Sequence, residues 1–87
     1  MRDLPHNDDW IPDRRRTIGA RIRAERRHQG LTQDQLWAAA RLDRRTIQHA
    51  EAGIEVKLST LLRIAWVLEV PLARLVDEDE QPAASGE

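Results

Sequence analysis

Arg44 and Arg45 stand together ahead of Thr46, Ile47 and His49, in the stretch Asp43–Gly53. A guanidinium carries five N–H donors in a flat fork and no acceptor, so its counterparts are paired acceptors and anionic oxygens. Asp43 reads as a helix cap, which puts both arginines on the first turn of the helix that follows. Positive charge there opposes the helix dipole and costs stability. A solvated helix start leaves that cost unexplained, whereas contact with an acceptor-rich, anionic partner accounts for it. His49 adds a ring donor or acceptor one turn further on. Ile47 lies behind them as an apolar anchor.

The charge distribution points the same way. The net charge of −1 conceals segregation along the 87 residues. Residues 1–13 sum to −3, because Arg2 faces Asp3, Asp8, Asp9 and Asp13. Residues 14–57 carry ten arginines and Lys57 against five carboxylates, a sum of +6. Residues 58–76 add +1 and the tail 77–87 has −5. A basic middle between acidic ends is the footprint of a polyanion partner.

Other chemistries find little support. The chain has no cysteine, which excludes a disulfide framework, a thiol nucleophile and cysteine-ligated metal, and fits a cytoplasmic protein. His6, His28 and His49 have no ligand spacing on a shared helix, so neither a metal nor another cofactor is expected. No nucleophile–base arrangement, paired-carboxylate pocket or phosphate-cradling glycine loop marks an enzyme. No apolar run approaches the roughly 20 residues of a membrane span. The acidic, proline-broken start is not a signal peptide.

Short helices must position these side chains. Residues 1–13 lack helical periodicity and read as an N-terminal arm. Helical spacing begins at Arg14 and runs to Gln29, with Ile18 and Ile22 on one face and Gly30 as the stop. Thr32 followed by Gln35 forms a capping box for a second helix over residues 33–40. The third helix runs from Arg44 to Ala52 and ends at Gly53. The fourth spans Ser59 to Glu69, with Leu58, Leu61, Leu62, Ala65 and Leu68 as its apolar stripe. Pro71 suits the first turn of a fifth helix through Val76. The expected domain, residues 14–76, is all-α with five helices. The tail, residues 77–87, has the composition of disorder and serves most simply as a solubilising end.

Helix, turn and helix within supporting helices make a helix-turn-helix. Residues 18–76, about two-thirds of the chain, resemble the phage-repressor-like (XRE) helix-turn-helix family. The resemblance rests on RIRAERRHQGLTQDQL, the turn, RRTIQHAEAG and STLLRIAWVLEVPLARLV, in order and at the family's spacing. It implies a lambda-repressor-like fold with double-stranded DNA as partner, and the third helix in the major groove. By that resemblance Arg44, Arg45, Thr46 and His49 face the bases. Arg45 is the expected base reader, and Arg44 fits a base or a phosphate. Gln33 is placed to hold a phosphate at the second helix's N-terminus. Arg21, Arg27 and Lys57 are candidates for phosphate contact, or simply solvated. Arg26 matches the position that pairs with Glu51 and would lock the first helix to the third. An arginine fork matches guanine O6 and N7, so each half-site is expected to contain a guanine.

Two positions depart from the family's pattern. Arg41 stands where the turn normally has glycine, which leaves either a non-glycine residue at positive φ, at a cost of about 1 kcal/mol, or a different turn conformation. Trp37 stands where a small residue is usual. It either enters the core, offset by the small Ala40 and Ala50, or points outward, and conservation of core volume favours the first. Trp66 and Val67 lie off the fourth helix's stripe and need a cover. Trp10 and Ile11 of the arm could supply it, or a second subunit could, as the resemblance implies a homodimer through the fourth and fifth helices on an inverted-repeat operator. The function expected is a sequence-specific transcriptional regulator without a small-molecule effector. The alternative is a degenerate helix-turn-helix whose surface binds a protein partner.

Overall fold

The computed structural model describes residues 1–78, and the acidic-tail assignment falls almost wholly outside them, leaving exposed Asp77 and Glu78 within. Five helices follow in order: α1 (Trp10–His28), α2 (Gln33–Ala40), α3 (Arg44–Ala52), α4 (Leu58–Leu68) and α5 (Leu72–Val76). No strand occurs among the described residues.

α1 begins at Trp10, four residues before the expected start at Arg14, so only residues 1–9 precede it. The prolines of this segment do not oppose the helix. Pro12 lies in the first turn, where N–H groups have no intrahelical partner. Asp8, Asp9 and Asp13 surround the positive end of the dipole and favour initiation there. α2 opens with the expected capping box. The Thr32 hydroxyl accepts the Gln35 N–H at 3.0 Å, and the Gln35 side chain accepts the Thr32 N–H at 2.8 Å.

Ile22, Leu36, Ile47, Ile64, Leu68 and Leu75 are the large, fully buried side chains, so every helix contributes to one core. On α4 this corrects the expected stripe. Ile64 is in the core, whereas Leu58 and Leu62 are 63% and 49% exposed. The contact made by α4 is turned toward Thr60, Ile64, Ala65 and Leu68, leaving Leu58, Leu62 and Trp66 on the outer side.

Gly19 sets the spacing of α1 against α3. A Cβ built there would fall 2.5 Å from the Ala50 carbonyl oxygen and 2.6 Å from that of Glu51. Only a residue without a side chain lets α1 lie this close to the end of α3. The seven arginines of α1 divide among several faces, as a helix requires. Arg14 donates to the Val76 carbonyl at 3.0 Å and Arg21 to that of Leu75 at 3.2 Å, so both engage the end of α5.

Arg41 adopts φ 58° and ψ 44°, the left-handed region, at the end of α2. Of the two possibilities, the turn takes the non-glycine residue at positive φ and keeps its conformation. The Leu42 N–H reaches back to the Trp37 carbonyl at 2.9 Å, and Arg63 donates to the Ala40 carbonyl. These bonds close the turn around a non-glycine residue, at a cost of about 1–2 kcal/mol. Trp37 is half-buried and packs against the core beside buried Ala40, and its indole N–H donates to Asp34 Oδ1 at 3.1 Å.

Candidate nucleic-acid interface

The placement of α3 is settled at both of its ends. Asp43 is extended, and its carboxylate accepts the Thr46 N–H at 2.7 Å. Hydrogen bonding from Thr46 holds the Asp43 carboxyl below its ordinary value, and the charges of Arg45 and His49 act in the same direction. At the other end Gly53 closes the helix at φ 82°, with its carbonyl accepting from Arg15 Nε at 3.1 Å. Ile47 is fully buried and Ala50 nearly so. With this face fixed, Arg44, Arg45 and Gln48 are exposed, while Thr46 and His49 are half-buried.

Behind the helix lies a buried ionic cluster. Arg26 Nε donates to Glu51 Oε2 at 2.7 Å and Nη2 to Oε1 at 3.1 Å, a two-pronged pair between α1 and α3. The remaining arm of the guanidinium donates to the Leu31 carbonyl at 2.8 Å. Gln33 Nε2 donates to Glu51 at 3.1 Å, and Arg23 Nε stands 3.5 Å from it. Burial raises the Glu51 carboxyl, but hydrogen bonds from Arg26 and Gln33 and the charge of Arg26 outweigh it and hold the group below its ordinary value. The bonds satisfy the acid on both oxygens, which a buried charge requires.

The other expected contact residues divide by location. Lys57 is exposed at the start of α4 and lines a shallow groove with Thr46, His49, Arg41 and Arg63. Arg41 and Arg63 were not among the expected contacts, because a turn residue and a residue of α4 look unrelated in sequence. Arg27 is exposed on α1. Arg21 belongs to a different site: its guanidinium donates to the carbonyls of Leu75 and Asp77. It lies five positions before Arg26 in the sequence, which on a helix turns it well away from the face directed at α3. Gln33 is an inner-edge residue here, with its amide directed to Glu51.

Asp34 is a further charged residue at this surface that spacing did not mark out. Its Oδ1 lies 3.5 Å from Arg44 Nη2 and also accepts the Trp37 indole N–H. Thr32–Asp34 had registered only as the opening of α2.

Trp66 is 83% exposed. Grooves beside it are lined by Ala39, Leu62, Arg63 and Val70, with no residue of the N-terminal segment among them. Ile11 lines a separate cleft with Ile18, Ala50, Ile54 and Leu61. The cover expected from Trp10 and Ile11 is therefore not what the fold provides.

A helix-turn-helix family model, HTH_3, matches residues 22–75. No curated protein matches the chain significantly. Among solved structures, the restriction-modification controller protein C.AhdI from Aeromonas hydrophila is similar, at 31% identity and a TM-score of 0.66, over 69% of this chain and 92% of that one. The family match spans α2, the turn and α3 together with most of their supporting helices, and the chain accordingly belongs to the XRE-type helix-turn-helix family of DNA-binding transcription regulators.

Proposed function

We propose that the chain reads a specific operator as a homodimer, with α3 in the major groove. The observation that carries this reading is the pair of exposed arginines on the first turn of α3, backed by fully buried Ile47 and fixed by the Asp43 cap. A helix held this firmly can offer Arg44, Arg45, Thr46 and His49 to base edges without losing its own structure. Lys57, Arg27 and the N–H groups at the start of α2, including that of Gln33, serve the phosphates.

Leu58, Leu62 and Trp66 recur every four residues on the outer side of α4 and support pairing with a second copy there. Two copies would place their reading helices on half-sites about one helical turn, roughly 34–36 Å, apart. The similarity to a restriction-modification controller protein supports a regulator that acts by occupying its operator.

Selection of duplexes from a random library at about 150 mM salt, beside an Arg44→Ala/Arg45→Ala control, tests the reading where non-specific binding is weak. The expected product is an inverted repeat with a guanine in each half-site that the control does not bind. Recovery of no motif, with wild type and control alike, would transfer the function to the exposed face of α4 and a protein partner.

A further inference from the structure

Arg44 is not an isolated surface cation. Its Nη2 lies 3.5 Å from Asp34 Oδ1, and the same oxygen accepts the Trp37 indole N–H at 3.1 Å. Trp37 is half-buried against the core, so it is a firm support for the carboxylate. All three residues lie on the helix-turn-helix itself: Asp34 and Trp37 on α2, one turn apart, and Arg44 at the opening of α3. We propose that Asp34 and Trp37 are positioning residues that hold Arg44 as a base-reading side chain.

The proposal rests on the operator-reading function above and assigns Arg44 between the two tasks open to it. A phosphate clamp works by charge, and a carboxylate beside it both cancels that charge and repels the phosphate. A base reader works by the direction of its N–H bonds, which a carboxylate on one arm of the fork can improve. Such a pair is weak while exposed to water, and Arg44 and Asp34 are 62% and 63% exposed. Docking of the helix into a groove excludes that water and strengthens the bond where it is needed. Pre-setting the fork also lowers the side-chain entropy lost on binding. The tryptophan, unusual for its position, then has a task beyond filling space: it aims the carboxylate.

The test uses the full chain and the operator recovered by selection, with wild type, Asp34→Asn, Trp37→Phe, Arg44→Ala and Asp34→Asn/Arg44→Ala. Affinity is measured for the operator, for duplexes with each guanine replaced in turn, and for random duplex. Arg44→Ala is expected to abolish discrimination at one guanine position. Asp34→Asn is expected to lower discrimination at that same position about five- to tenfold, within the range of one good bidentate contact. It should leave random-duplex affinity unchanged or raise it, and add nothing in the Arg44→Ala background. Trp37→Phe should reproduce the loss with the carboxylate still present; its melting temperature shows whether folding is intact, and Asp34→Asn decides alone if it is not.

Equal strengthening of operator and random duplex by Asp34→Asn, with discrimination kept, would make Asp34 an electrostatic brake and overturn the proposal. So would an Arg44→Ala loss spread uniformly over all sequences. A wild type that selects no operator removes the reading function itself. A selecting wild type whose discrimination is untouched by Asp34→Asn removes only the positioning role.

Discussion

Arg26 and Glu51 illustrate how one pair of residues can hold a binding surface in place without belonging to it. The guanidinium fork joins α1 to the last turn of α3, with Gln33 closing the acid's remaining valence. Arg26→Ala strips a buried carboxylate of its two-pronged partner and leaves it only Gln33 and the more exposed Arg23, and a loss approaching about 3 kcal/mol is expected in chemical denaturation. An unchanged unfolding midpoint would show that α3 does not depend on the pair. The same cluster sets a pH limit. Glu51 and Asp43 are both held below their ordinary values of 4.5 and 3.8 in the folded chain. Their contribution is therefore fully present above those values and is lost as pH falls through them toward the lower folded values. Melting temperature should be level above about pH 5 and fall in acid. Because Glu51→Gln removes one titrating group, it should flatten part of that fall, though from a lower starting stability. Arg41 makes the opposite case. Glycine relieves its left-handed strain but frees the unfolded chain, so Arg41→Gly should stabilise by about 0.5–1 kcal/mol.

Among the elements, α1 acts mainly as a carrier for the other helices. Its arginines engage the end of α5 through Arg14 and Arg21, the end of α3 through Arg15, and Glu51 through Arg26. Gly19 allows this closeness, and Gly19→Ala must displace α3 backbone rather than a flexible side chain. A loss of about 1–3 kcal/mol is expected from the overpacking, accompanied by weaker operator binding. Unaltered thermal stability and binding would mean that the two helices separate at little cost. α4 presents the complementary situation, with a row of large apolar residues on its open side. If that row joins two copies, Trp66→Glu should yield a monomer by sedimentation at tens of micromolar and keep its melting temperature, since Trp66 contributes little to the core. It should still bind a half-site weakly while losing the gain from pairing. A Trp66→Glu protein that remains dimeric would move the interface elsewhere.

For the molecule as a whole, the small net charge is a poor guide to what the surface does. The basic residues are concentrated between residues 14 and 57, with a sum of +6, and some of their guanidinium groups are engaged internally by carbonyls and by Glu51. Direct contact with phosphates is therefore left to fewer cations than the composition contains. Lys57→Ala and Arg27→Ala should each weaken operator and random duplex alike and reduce the salt slope of binding by about one. Arg21→Ala should leave the slope nearly unchanged and act instead on the docking of α5. Equal slopes for all three variants would show that internal and interface arginines have not been separated correctly.

The sequence by itself determined the helices, the capping of α2 and α3, and the family, because these rest on local signals: a capping box, helix-stopping glycines and apolar residues at helical spacing. It also placed Arg44, Arg45, Thr46 and His49 on one short helix, since neighbours on a helix are neighbours in the chain. What lay beyond local reading depended on distance across the fold. The start of α1 was obscured because residues 10–13 carry no helical periodicity that could mark it, and the stripe of α4 because apolar residues recur on more than one side of that helix. Only the tertiary structure decided that Arg21 faces α5, that Arg41 keeps the left-handed turn, and that Trp66 is uncovered. It also brought Asp34, Trp37 and Arg44 together, through a turn that reverses the chain between two helices. The reason is physical: spacing along one helix gives the direction of a side chain, but its partner depends on which helices pack, how closely, and which carbonyl or carboxylate then falls within reach.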